Sequence, residues 1–234
     1  MPEIIYEDNH LLVAVKPPNQ LTQGDATGDE ALLDELKGYI KVKYNKPGEV
    51  YLGLVHRLDR PVGGLVAFAR TSKSASRLSE QLRSHAMHRD YLAVVENADT
   101  LADEGTLQDW LLKDDASGNI RTARAGTPGS QEAKLHFTVL DRKAGTALVH
   151  VVLETGRKHQ IRVQFASSGH PLRYDMRYGQ GERGQNIALW GAMLTLAHPT
   201  QKHSMTFISH PRGEAYKPYA ETIDRFLSGK GDQP

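Results

Sequence analysis

The 234-residue chain contains no cysteine. This excludes a disulfide framework, a thiol nucleophile, an iron–sulfur cluster and a thiolate zinc site, so metal chemistry would have to rest on its 11 histidines and its carboxylates. Long apolar runs are also missing: no segment approaches the roughly 20 consecutive apolar residues of a membrane helix. The opening Met1-Pro2-Glu3-Ile4-Ile5-Tyr6-Glu7-Asp8 carries acids where a secretory signal has a basic start and an apolar run, so a soluble, cytoplasmic protein is expected. Aromatic residues are sparse at 7%, and charge of one sign is not in excess, with 29 basic against 28 acidic side chains. Against these absences, 39% hydrophobic and 24% charged residues are ordinary proportions that can close a core, which excludes disorder as the main state. The length suits one large domain or two small ones, and no period of 20 to 50 residues repeats.

The near-neutral total hides a local pattern. Residues 53–91 hold seven basic and three acidic side chains, net +4, and residues 156–183 hold six and two, again net +4. Residues 96–115 hold seven acids and only Lys113, net −6. Two basic segments sharing a face would form an electrostatic footprint for a polyanion; on charge alone, a solvated surface with scattered arginines is the favoured reading.

Leu11 to Val15 is a short apolar run stopped by Lys16-Pro17-Pro18-Asn19, a strand entering a turn. Leu32, Leu33, Leu36, Tyr39 and Ile40 recur at helical spacing between Asp29 and Tyr44. A second helix is expected from about Ser72, capped by Thr71 or Ser72, with Ala75, Leu78 and Leu82 on one side and Lys73, Arg77 and Arg83 off it. Strand signals follow at 91–96, at Leu135/Phe137/Val139, at Ala147/Val149/Val151/Leu153, at 188–196 and at 204–208, many of them able to pair antiparallel. In the stretch 158–169, Ile161, Val163 and Phe165 alternate as on a strand, but Gly169 followed by Pro171 is a helix stop and favours a helix; Pro218 reads as the start of a C-terminal helix carrying Ala220, Ile223 and Phe226. Asp114 to Gly129 reads as a loop-like insertion, and the whole chain, 1–234, as a single α+β domain with a sheet as its spine.

Two apparent motifs fail on context. Gly179-Gln180-Gly181-Glu182-Arg183-Gly184 matches G-x-G-x-x-G by letter, but a dinucleotide fingerprint needs a buried strand before it and a helix opening within it. His85 and His88 stand beside Arg83 and Arg89 without carboxylates, so solvated or phosphate-facing roles suit them better than metal ligation.

The informative segment is Leu54-Val55-His56-Arg57-Leu58-Asp59-Arg60-Pro61-Val62-Gly63-Gly64, one acid between two arginines followed by proline and a glycine pair. Asp59 reads either as a turn residue paired with an arginine or as a carboxylate kept ionised by guanidinium charge where a substrate can approach closely. A second island runs from Leu153 to Phe165 through Gly156-Arg157-Lys158-His159-Gln160-Ile161-Arg162-Val163. On a helix, Ile161 and Phe165 anchor to the core and place Arg162 beside them, partly buried and in need of a carboxylate, with Asp59 the candidate.

These residues resemble the RluA-type pseudouridine synthase family. HRLDR at 56–60 is similar to its catalytic-aspartate motif, Arg89-Asp90-Tyr91 with the following Leu-Ala-Val-Val to its tyrosine strand, and GRKHQIRV at 156–163 to its arginine motif. The opening YEDNHLLVAVKPP and the motif order agree, so the likeness runs from about Ile4 to about Pro211. The resemblance implies one catalytic domain on a mixed, mostly antiparallel sheet flanked by helices and loops. It implies a cofactor-free, metal-free isomerase that detaches uracil from C1′ of a uridine in ribosomal or transfer RNA, turns the base and rejoins it through carbon 5. Asp59 would attack the sugar or the base, or remove a sugar proton; Tyr91 would stack on the base, and Arg162 would hold Asp59 ionised. Arg57 would enter the helix stack when the target base is flipped out, Lys16 and Pro17 would shape the cleft, and Lys16, His56, Arg60, Arg89 and Lys158 count with Arg57 as substrate-binding. RNA is the expected partner, with no membrane association and a monomeric state.

The chemistry of the motifs fits that implication. Glycosidic hydrolysis normally uses two carboxylates, whereas the motif islands offer one well-placed acid, and an isomerisation that returns the base to its own sugar needs no activated water. Extruding a base costs a few kcal/mol, which calls for positive charge and an aromatic platform, and the two +4 segments contain all three motifs. An RNA-binding protein without activity is the alternative from another class; it would lack the catalytic acid, and Asp59 is present. A phosphate-binding hydrolase finds no second carboxylate, P-loop or Ser/His/Asp set. Two stretches depart from the family pattern: Arg173-Tyr174 stands where small residues including glycine are usual, and Leu189-Trp190-Gly191-Ala192 replaces Leu-His-Ala, both bearing on RNA target rather than reaction. Met1 lies just ahead of the first strand, so the small RNA-binding domain that some relatives carry there is expected to be absent.

Overall fold

Alternating and continuous apolar runs fold into eleven strands, and the stretches at helical spacing fold into four helices, in a computed structural model describing residues 1–114 and 118–231. In chain order these are β1 (Glu3–Glu7), β2 (Leu11–Lys16), α1 (Leu32–Lys43), β3 (Gly53–Leu54), β4 (Gly63–Ala69), α2 (Ser72–Arg83), β5 (His88–Val95), β6 (Glu104–Lys113), β7 (Ile120–Ala123), β8 (Gln131–Lys143), β9 (Thr146–Leu153), α3 (Gln160–Ser167), β10 (Leu189–Ala197), β11 (Ser204–Ile208) and α4 (Ala220–Gly231). The architecture is α+β, as expected. The chain divides into two compact units, one of residues 1–89, 191–211 and 227–234, the other of residues 90–190 and 212–226.

In the first unit, β1, β2, β4 and β10 are successive neighbours, β3 adds to β4 and β11 to β10, and the β1–β2, β2–β4 and β10–β11 ladders are antiparallel. Every residue of β2 and β4 is buried, which explains why they read as unbroken apolar runs rather than as alternation. Helix α1 buries Leu32, Leu36 and Ile40, its i, i+4, i+8 face. Helix α2 starts as expected at a Thr71 cap, whose hydroxyl accepts from the Ser74 N–H at 3.1 Å. Gly64 (φ +127°) and Gly191 approach so closely that a Cβ on Gly64 would lie 2.4 Å from the Gly191 nitrogen, so Gly191 of the departing Leu-Trp-Gly-Ala stretch serves backbone packing.

In the second unit the order is β5, β9, β8, β6, β7, antiparallel throughout. Phe137 and Phe165 meet edge to face at 5.5 Å beneath it. Two expectations are corrected here. The stretch 114–129 is not wholly loop, because Ile120–Ala123 pairs with β6 and Ile120 packs with Leu111, Ala133 and Val163; four residues including Arg121 and Thr122 are too short to show alternation. Residues 115–117 of that stretch, with the Asp115 of the acidic segment, lie outside the described residues. Pro218 does not open the C-terminal α-helix: it sits inside a short 3-10 helix, Glu214–Tyr219, and α4 begins at Ala220. Among the described residues no helix is long and apolar enough to cross a membrane.

Candidate active site

The turn carrying Asp59 is pinned from several sides. Thr22, itself buried, holds both backbone groups of Leu58: its Oγ1 donates to the Leu58 carbonyl at 2.8 Å and accepts from the Leu58 N–H at 3.3 Å. The Asp59 carbonyl accepts from the Val62 N–H at 3.0 Å, closing the turn. Lys16 is fully buried, and its Nζ donates to the carbonyls of Pro17 at 2.9 Å, Gln20 at 2.8 Å and Arg60 at 3.0 Å, three acceptors for three N–H groups. Burial pushes the Lys16 ammonium down to about 7; the Asp59 carboxylate pulls it back up and the Arg60 charge pushes it further down. Lys16 therefore works on the backbone of the Asp59 turn from below. Arg60 is exposed and held by Asp29 and by the Asn19 carbonyl, at 3.2 Å.

Asp59 is half-buried in this turn and Arg57 is exposed, without an ion-pair partner among the described residues. His56 is buried, and its Nε2 accepts from the Ala67 N–H at 3.2 Å. Burial first and then the Arg89 charge push His56 down to about 3, so it is a neutral imidazole at neutral pH. Arg89 is half-buried, with its Nε unpartnered.

In the second unit Tyr91 lies on β5 opposite Val151 and is 6% exposed. Helix α3 carries Arg162 between Ile161 and Val163, all three buried, so the expected anchoring of this island holds. The residues from Gln160 to Phe165 are all buried, and each polar one among them finds partners: Gln160 donates to the Lys134 carbonyl, Gln164 to Asp109 and the Ala133 carbonyl. Arg162 meets Asp175 as a two-pronged pair, Nε to Oδ2 and Nη2 to Oδ1, both 2.8 Å, with Asp175 fully buried. The same carboxylate accepts from the N–H groups of Arg177 at 2.9 Å and Tyr178 at 3.2 Å. Burial by itself raises the Asp175 pKa, but the Arg162 bonds and charge and the two backbone N–H groups outweigh it and hold the carboxyl below its ordinary value.

Tyr178 completes the arrangement. Its ring lies under the Arg162 guanidinium at 5.1 Å, and its hydroxyl accepts from the Ile120 N–H at 3.0 Å and meets His159 Nδ1 at 2.7 Å. Lys158 is exposed at the entry to α3. Asp175, Tyr178 and Thr22 were not assigned roles from the sequence; the D-x-x-Y-G spelling of 175–179 was the available signal for the first two, and Thr22 carries none. Gly179 and Gly181 of the apparent G-x-G-x-x-G pack against the Asp175 and Tyr174 carbonyls in a segment that opens no helix. His85 and His88 are exposed.

A model of the family described as RNA pseudouridylate synthase matches residues 10–167, which span all three motifs. The chain is 35% identical over 201 residues to "Uncharacterized RNA pseudouridine synthase YhcT" of Bacillus subtilis, covering 84% of this chain and 64% of that protein. It is 34% identical over 206 residues to "Ribosomal large subunit pseudouridine synthase C" of Salmonella typhi, covering 84% of this chain and 62% of that one. It thus spans less than two thirds of the length of these relatives. The solved structure of "Human RNA Pseudouridylate Synthase Domain Containing 4" has the same fold, with a TM-score of 0.75 at 20% identity over 96% of this chain and 93% of that one. With the motifs of Asp59, Tyr91 and Arg162 inside the matched region, the chain belongs to the RNA pseudouridylate synthase family.

Proposed function

We propose that this chain isomerises specific uridines of structured RNA to pseudouridine, with ribosomal RNA as the substrate favoured over transfer RNA. The observation that carries the reading is the family match over 10–167, with Asp59 held in a turn whose backbone is fastened by Thr22 and Lys16. The name of the Salmonella typhi relative favours the ribosomal large subunit.

In the proposed reaction the C1′–N1 bond breaks, the uracil turns, a C1′–C5 bond forms, the C5 proton leaves and N1 ends protonated. Asp59 is the carboxylate of that exchange, Tyr91 the aromatic group against the base, and Arg162 the cation that keeps Asp59 ionised. Arg57, exposed and without an ion-pair partner among the described residues, suits the role of filling the stack vacated by the flipped base. Exposed Lys158 and Arg60 suit phosphate contact, half-buried Arg89 an RNA contact beside Tyr91, and buried His56 and Lys16 act by shaping the turn. Action in the cytoplasm as a monomer completes the proposal. The test is to incubate RNA from cells lacking the protein, digest it to nucleosides and quantify pseudouridine. A rise with the wild type is expected, and an unchanged pseudouridine content in ribosomal and transfer RNA fractions alike refutes the reading.

A further inference from the structure

Leu172 to Asp175 form a tight turn in which the Asp175 N–H donates to the Leu172 carbonyl at 3.1 Å, and Tyr174, its third residue, has φ +63°. Turns with a positive φ at that position favour glycine, because an L side chain crowds its own backbone there, and a bulky residue is an outlier. The neighbours leave no room to relax. The Arg173 N–H donates to the Val94 carbonyl at 2.8 Å, the Arg173 carbonyl accepts from the Ala188 N–H at 2.9 Å, and Leu172 bridges Val95. Gly181 packs so tightly under the turn that a Cβ there would lie 2.3 Å from the Tyr174 carbonyl oxygen.

The Tyr174 side chain returns little to the fold for this strain. It is half-buried, its hydroxyl has no hydrogen-bond partner among the described residues, and its one aromatic contact is the Arg173 guanidinium, 5.1 Å from the ring centroid. Arg173 and Arg177 have no carboxylate partner among the described residues, and Met176 is 56% exposed. The turn therefore presents an aromatic ring, two uncompensated guanidinium groups and a thioether, one residue from the carboxylate that grips Arg162. Strain held at a rigid position with no structural return is a mark of function. Aromatic rings backed by arginine are what unpaired bases stack on.

We propose that Tyr174, with Arg173 stacked on it, is a specificity-determining residue that receives an unpaired nucleobase of the RNA flanking the target uridine. The proposal rests on the RNA-modifying reading above. Its test compares wild type with Tyr174→Gly, Tyr174→Leu and Tyr174→Phe, reading thermal unfolding together with kcat and KM for tritium release from 5-tritiated uridine RNA of cells lacking the protein. Tyr174→Gly is expected to unfold at the same temperature or higher, because glycine relieves the strain, while KM rises roughly tenfold with kcat little changed. Tyr174→Leu is expected to share the raised KM, and Tyr174→Phe to return it to within about twofold of wild type. A Tyr174→Gly KM equal to wild type, a Tyr174→Phe KM as poor as Tyr174→Gly, or a Tyr174→Gly protein that melts several degrees lower overturns the proposal. A wild type that releases no tritium removes the RNA-modifying reading and this proposal with it, whereas an active wild type matched by Tyr174→Gly removes this proposal alone.

Discussion

Replacing Asp175 by asparagine isolates the Arg162 pair. Asp175 is fully buried and the Arg162 side chain is 6% exposed, so neither charge is relieved by solvent. The carboxylate accepts four hydrogen bonds, two from the guanidinium and two from backbone N–H groups. The amide keeps one acceptor oxygen, turns an NH2 toward the donors and removes the charge opposite a buried cation. Breaking a buried ion pair from one side costs about 3–5 kcal/mol, most of it the penalty for the charge left behind. At roughly 2–4 °C per kcal/mol for a chain of this size, Asp175→Asn is expected to melt about 6–20 °C below wild type. The sign with pH follows from the depressed Asp175 pKa. The pair's contribution is complete above the unfolded-state value near 3.8 and is lost as pH falls through the lower folded value. The gap between wild type and variant should therefore be constant from pH 7 to pH 5 and close in stronger acid. A double variant, Asp175→Leu with Arg162→Met, should lose less than the two single changes together, because it removes both charges of this pair at once. Denaturant unfolding in which Asp175→Asn lies within about 1 kcal/mol of wild type, or in which the single losses simply add, would refute the reasoning.

Lys16→Met leaves three part-buried carbonyls without their donor, and at up to about 1 kcal/mol for each it is expected to cost roughly 2–3 kcal/mol in denaturant unfolding. Because the folded Lys16 pKa is lowered to about 7 from 10.5, wild-type stability should rise as pH goes from 7 toward 10, a gain that Lys16→Met lacks; parallel profiles would contradict it. RNA binding through the exposed arginines and lysines should weaken steeply between 50 and 200 mM salt in a filter assay, and a flat response would rule out phosphate contacts.

The helix bearing Arg162 was legible from its stop at Gly169 with Pro171, although Ile161, Val163 and Phe165 alternate as they would on a strand. Its carboxylate partner within the second unit was not, since Asp175 arrives 13 residues later through a turn whose φ +63° residue is a tyrosine and gives no glycine signal. Lys16 illustrates a second blind spot. The resemblance implies that it shapes the cleft and binds substrate, whereas its partners in the fold are backbone carbonyls, which every residue carries and no spelling reveals. Strand β7 escaped because only Ile120 of its four residues is buried. The two compact units escaped because each is assembled from separated stretches of chain, with no composition change at 89–90 or 190–191.

The most direct test of the central claim uses RNA tritiated at uracil carbon 5 from cells lacking the protein, incubated with wild type and with Asp59→Asn. Isomerisation through carbon 5 must expel that tritium into water, so release by the wild type and none by Asp59→Asn is expected. Equal release by both would remove Asp59 from the chemistry, and no release by the wild type would contradict the isomerase itself.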